Sequence, residues 1–238
     1  MTTTIDCPSF IDLRAFAAAP PDGVGADPFG EGRRLVPLRG GPVEAGSIHL
    51  PAGMGTAPAA AGDCWMILAD GAVTISTDGA ARDHAPGDSW VVTAGTSFEW
   101  TAPAPATIIF LRYRNGSDSP VGIVPIDIAA DLAPSGAPLA ELLVGETPAC
   151  RNFTTFRSTD GEFTCGIWDS TPYHRRPMRY VHFELMYLLQ GEVTFVDESG
   201  QSRTFAQGDI FLVEQGASCS WESREHVAKV YAIYRPLA

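Results

Sequence analysis

Apolar and polar residues alternate with a period of two along Val73–Thr77 and again along residues 193–197, the pattern of a half-buried β-strand. Each run closes on a turn signal, Asp78-Gly79 in the first and Glu198-Ser199-Gly200 in the second. Further strands are predicted over residues 89–93 and 210–214, then over residues 107–113 and Val227–Tyr234. Short strands recurring every ~8–12 residues predict a sandwich or barrel. Helical signal is thin. Ser9 is placed to cap a short helix running to Ala18, and Pro138 to open another running to Leu143.

The strand pattern occurs twice. Gly71, Gly87-Asp88, Gly95 and Trp100 in the first half answer to Gly191, Gly208-Asp209, Gly216 and Trp221 in the second. In both, Gly follows the glycine of the Gly-Asp pair by eight residues and Trp follows five later. The words Met66-Ile67-Leu68 and Val73-Thr74-Ile75 match Met186-Tyr187-Leu188 and Val193-Thr194-Phe195. Gly46 pairs with Gly166, and the leader Ile11-Asp12-Leu13 with Ile126-Asp127-Ile128. So much agreement argues for an internal duplication with a repeat of about 120 residues. The reading is an all-β chain of two tandem barrels. Residues 1–124 form the N-terminal barrel with a leader, and residues 125–238 the C-terminal barrel with a connector. The Pro- and Gly-rich stretch 115–147 links them. Asp88 and Asp209 read as turn residues that bond backbone amides.

Composition narrows the partners. A net charge of −12 argues against a nucleic acid or an anionic membrane, both of which reward a basic face. No apolar run approaches the ~18 residues of a spanning helix, and residues 1–10 lack the layout of a signal peptide, so a cytoplasmic location is expected. The five cysteines, Cys7, Cys64, Cys150, Cys165 and Cys219, are widely spaced and odd in number, which reads as buried reduced thiols.

These spacings resemble the cupin superfamily, whose motifs run G(x)5HxH(x)3-4E(x)6G and G(x)5PxG(x)2H(x)3N. Glu184 and Gly191 hold the E(x)6G spacing, and Gly200 and Gly208 hold the glycines of the second motif. The wording Glu184-Leu185-Met186-Tyr187-Leu188-Leu189-Gln190-Gly191, then Gly208-Asp209, Trp221-Glu222 and Lys229-Val230-Tyr231, is most similar to the subgroup of the ethanolamine-utilisation cupin. That subgroup is related to the ureidoglycine aminohydrolases, which are two-barrel cupins. The resemblance implies two RmlC-like jelly-roll barrels. It also implies a divalent transition metal held by three His and one Glu inside the barrel.

Most of those ligands are replaced. In the second copy the HxH falls on Met178 and Tyr180, or on Pro177 and Arg179; the second-motif His falls on Phe211 and its Asn on Gln215. Only Glu184 remains. In the first copy Cys64 stands at the Glu position and Trp90 at the His position. The motif's proline is Ala85 in one copy and Ala206 in the other. Strand parity puts Tyr180, His182 and Met186 on the face of Glu184. Two readings follow: His182 bonds Glu184 in a polar pocket without metal, or His182 and Glu184, with or without His174, form a two-ligand remnant of a metal site. No cofactor is favoured.

The candidate ligand pocket is Tyr180, His182, Glu184, Met186, Phe211, Trp221, Trp168 and Arg179, with Glu184 as the one candidate catalytic residue. The aromatic members Trp168, Tyr180, Phe211 and Trp221 read either as pocket lining or, the favoured reading, as core packing. Arg175, Arg176 and Arg179 are read either as partners of Glu184 or an anionic substrate, or as a solvated loop. Cys64 has no neighbouring His to activate it. His49 and His84 read as surface or strand-face residues, and Lys229 with Glu222 as a cross-strand ion pair. The function expected is binding of a small polar or carboxylated metabolite in the C-terminal barrel. Alternatives are an aminohydrolase-like metal enzyme using Glu184 and His182, or a non-catalytic structural or regulatory pair. Homodimerisation is expected from exposed strand edges.

Overall fold

The computed structural model describes residues 10–19, 27–116 and 119–237; Cys7 and Ser9 lie outside them. The chain is almost entirely β and forms two compact units, each built from one large and one small antiparallel sheet. In the N-terminal unit the six-stranded sheet runs Ile123–Pro125, Ser89–Val92, Asp63–Asp70, Ala106–Tyr113, Val43–Leu50, Arg34–Leu35. Its four-stranded sheet runs Gly53–Ala57, Phe98–Ala102, Val73–Thr77, Ala80–His84. The C-terminal unit repeats this order. Its larger sheet runs Phe10–Asp12, Ile210–Val213, Phe183–Gln190, Val227–Tyr234, Phe163–Ser170, Cys150–Arg157, with Ala133–Ser135 added at the edge. Its smaller sheet runs Tyr173–Arg179, Ser218–Ser223, Glu192–Val196, Ser202–Ala206. Strand for strand, both units are jelly-roll barrels, and each buries an apolar cluster inside.

The repeated glycines are explained by backbone. At the Asp78-Gly79 turn both residues have positive φ, 50° and 78°, which the two-residue hairpin requires. Gly71 and Gly191 have φ of 85° and 77°, and a Cβ at either would run into neighbouring backbone, that of Pro105-Ala106 in one case and His226 in the other. The repeated aspartates close turns: Ala85 N donates to Asp88 Oδ2 and Ala206 N to Asp209 Oδ2, both at 2.8 Å.

The units are not the contiguous stretches 1–124 and 125–238. The strand Phe10–Asp12 belongs to the C-terminal unit and pairs with Ile210–Val213, Phe10 opposite Val213 and Asp12 opposite Phe211. Phe10 is fully buried there, its ring 4.9 Å from that of Phe195. Ile123–Pro125 fills the equivalent edge of the N-terminal unit, Val124 opposite Val91 and Pro125 opposite Trp90. Residues 156–163 also belong to the N-terminal unit. The expected helix to Ala18 exists only as Leu13–Ala18, because residues 10–12 are taken by the sheet. The one expected after Pro138 shortens to a 3-10 turn over Ala140–Leu142, with no side-chain cap.

Candidate functional site

Glu184 lies on the strand Phe183–Gln190, and alternation turns it, His182 and Met186 into the C-terminal barrel. The next strand in the sheet, Val227–Tyr234, brings Lys229 diagonally across. Lys229 Nζ donates to Glu184 Oε1 at 2.7 Å and lies 3.3 Å from Met186 Sδ. The other carboxylate oxygen, Oε2, lies 3.2 Å from His182 Nε2. Glu184, Lys229 and His182 are all buried. Burial alone would raise the Glu184 carboxyl; the Lys229 charge and the His182 hydrogen bond outweigh it and hold the group well below the usual carboxylate range.

Aromatic faces complete the ammonium's surroundings. Lys229 Nζ stands 4.7 Å from the Trp168 ring centre and 5.1 Å from that of Trp221. Trp221 in turn stacks on Tyr173 at 5.5 Å. Phe211 faces the other way in function: it stacks on Phe205 at 3.9 Å and packs on Phe195, as core. The expected Lys229–Glu222 pair is corrected, since Glu222 accepts from Arg224 instead.

Of the three arginines before Glu184, the barrel takes one that was not singled out as a pocket residue. Arg175 is only 4% exposed. Its Nη2 lies 3.4 Å from the Tyr180 hydroxyl and 3.3 Å from the Cys219 carbonyl, while its Nη1 has no hydrogen-bond partner. Arg179, expected in the pocket, is exposed, as are Arg176 and His174. The strand carrying them is irregular between Arg175 and Met178, which breaks the simple alternation from which one would choose the inward arginine. Tyr180 is buried with its ring 5.1 Å from that of His182. Burial pushes the Tyr180 hydroxyl up, and Arg175 pulls it back only in part.

These residues do not fit a metal. One oxygen of Glu184 is held by an ammonium and the other by His182, and the remaining motif positions carry Tyr180 and Phe211, which are not the usual ligands. Among the described residues no group of three or more His, Cys, Asp or Glu is placed to hold an ion.

In the N-terminal barrel Cys64 is buried, and Trp90 packs against His84 at 4.2 Å. His84 is thus an interior residue rather than a surface one. The described cysteines, Cys64, Cys150, Cys165 and Cys219, are all buried, and none of them forms a disulfide.

Two jelly-roll barrels, the second with Glu184 at the cupin carboxylate position, give this chain the fold of the cupin superfamily. Residues 157–231 match the family described as the EutQ-like cupin domain. A solved protein of unknown function of the DUF861 family, from Pseudomonas syringae pv. tomato, is 29% identical over 95% of this chain and 100% of that one, with a TM-score of 0.83. A cupin 2 conserved barrel domain protein from Leptotrichia buccalis is similar in fold (12% identity, 98% and 99% coverage, TM-score 0.59). So is the salicylate 1,2-dioxygenase of Pseudaminobacter salicylatoxidans (13% identity, 94% and 83% coverage, TM-score 0.57). No curated protein matches the chain.

Proposed function

We propose that the C-terminal barrel binds a small carboxylated metabolite through Arg175, without a metal. The observation that carries this reading is the unpartnered Nη1 of a buried guanidinium. Arg175 and Lys229 bring two positive charges into the barrel, and Glu184 answers only one of them. A buried charge left unpaired is costly, and a planar fork of N–H donors suits a carboxylate. Glu184 acts as the anchor of Lys229 rather than as an acid or base, since its hydrogen bonds hold it ionised. Tyr180 stands beside the vacant donor, and Trp168 and Trp221 flank the lysine.

A thermal-shift panel of small carboxylic acids tests this. Saturable stabilisation by one acid is expected, lost in Arg175→Gln; a panel without any such response counts against the reading. The metal-dependent aminohydrolase alternative is tested by elemental analysis of protein purified without chelator. A stoichiometric transition metal that disappears in Glu184→Gln and His182→Ala would favour it over ours. Buried cysteines outside any disulfide support a reducing, cytoplasmic location; no helix among the described residues is long and apolar enough to cross a membrane. A homodimer belongs to the same proposal. The edge strand Gly53–Ala57, with Met54 exposed, supports it, and a monomeric mass at micromolar concentration would refute it.

A further inference from the structure

We propose that the N-terminal barrel holds a second, independent binding site, which takes a short aliphatic monocarboxylate between Arg33 and Arg112, beside Cys64. The site begins with a transverse row across three adjacent strands. Cys64 on Asp63–Asp70 is directly opposite Arg112 on Ala106–Tyr113, and Arg112 is directly opposite Glu44 on Val43–Leu50. Arg33 closes the row from the chain just before Arg34–Leu35. Its Nη1 and that of Arg112 each stand 3.6 Å from Glu44 Oε2, beyond hydrogen-bonding distance.

Two donors and one acceptor of this row are unused. Arg33 Nη1, Arg112 Nε and Glu44 Oε2 are buried and have no hydrogen-bond partner. Arg33 is anchored by its Nε, which donates to the Gly30 carbonyl at 2.8 Å, so its unpartnered Nη1 is held in place. Burial first and then the Arg112 charge lower the Arg33 pKa, with Glu44 opposing. The other carboxylate in the field of Arg33 is Asp27, which acts less strongly than Glu44 and whose Oδ1 accepts the Phe29 N–H. Cys64 is a neutral thiol, since burial pushes it up more than Arg112 and Arg33 pull it down. Two cations in contact with one carboxylate leave a single positive charge for a ligand to answer.

Both arginines and Cys64 line a cavity of about 190 Å³, whose other walls are apolar and include Phe29, Met66 and Phe98. That volume lies below the ~300 Å³ at which drug-sized sites begin. Charge selects one carboxylate, which a guanidinium fork binds through two oxygens. The walls select an aliphatic body, and the volume keeps it short. A phosphate monoester or a dicarboxylate would bring a second charge against Glu44 or the apolar wall.

Titration of the intact protein with sodium n-butyrate, with butyramide and sodium chloride as controls, tests the proposal by thermal shift. A saturable rise in Tm of several degrees is expected with butyrate and none with butyramide. The rise should persist in Arg175→Gln, which disables only the C-terminal site, and should vanish in Arg112→Gln. Arg33→Gln, outside the strands, gives the same readout if Arg112→Gln does not fold. Ala60→Leu, which fills the cavity and keeps every charge, should also abolish it. The proposal is overturned if butyrate gives no saturable response beyond salt, if butyramide matches it, or if the response survives both arginine substitutions. Loss of the response in Arg175→Gln alone would assign it to the C-terminal barrel and equally overturn the second site.

Discussion

Lys229 Nζ lies 2.7 Å from Glu184 Oε1, inside a barrel where both side chains are over nine-tenths buried. At the position where cupins carry a metal-binding glutamate, the partner in this protein is an ammonium. A lysine supplies one fixed charge with no open coordination position, so the carboxylate is retained while its chemistry changes.

Breaking that pair from either side strands a buried charge. Lys229→Met should destabilise the protein by about 3–5 kcal/mol, and Glu184→Gln by a similar amount. The double variant Glu184→Gln/Lys229→Met should recover most of the loss. Urea unfolding of the four proteins checks this. Additive losses in the double variant would show that the two side chains do not act as a pair.

Acid should act through the same carboxylate. Its folded pKa is held below the unfolded value of about 4.3. It therefore stabilises the fold above that value, and the contribution is lost as pH falls through the folded pKa. Asp169 has the same sign: burial raises it, but hydrogen bonds from Arg151 and His226 hold it low. Between pH 5 and pH 2 the unfolding midpoint should fall further in the wild type than in Glu184→Gln. Parallel curves would contradict the assignment.

A residue far away in sequence should support the C-terminal barrel. Phe10→Ala removes a fully buried ring packed on Phe195 and should cost about 3–5 kcal/mol. Hydrogen exchange should quicken first in its partner strand Ile210–Val213 rather than in the strands of the N-terminal unit that follow it in sequence. Uniform quickening across both units would refute this placement.

The paired glycines predict paired costs. Gly71→Ala and Gly191→Ala each force a Cβ into positive φ, worth about 1–2 kcal/mol, and against neighbouring backbone. Each should lower Tm, whereas Gly136→Ala, where a Cβ would meet open space, should be near neutral.

Reading the residues alone goes far on the fold because turns are local. Gly71, Gly191, Asp88 and Asp209 show in the sequence the backbone angles and amide bonds they serve. The inward turn of His182, Glu184 and Met186 is also legible, since a regular strand alternates. Arg175 was not, because an irregularity in its strand breaks the alternation that would have distinguished it from Arg179. Phe10 was not, because an edge strand of three residues carries too little pattern to name its partner.

The sequence by itself determined that one barrel was built twice and that the second copy kept the glutamate the first had lost. Periodicity and glycine spacing act over a few residues and survive any arrangement of the rest. Only the tertiary structure decided what those positions mean. Lys229 reaches Glu184 across 45 residues of chain, and Arg112 faces both Cys64 and Glu44 from one strand. Charges meet through sheet register, and register is set by the packing of the whole barrel rather than by any neighbour in sequence.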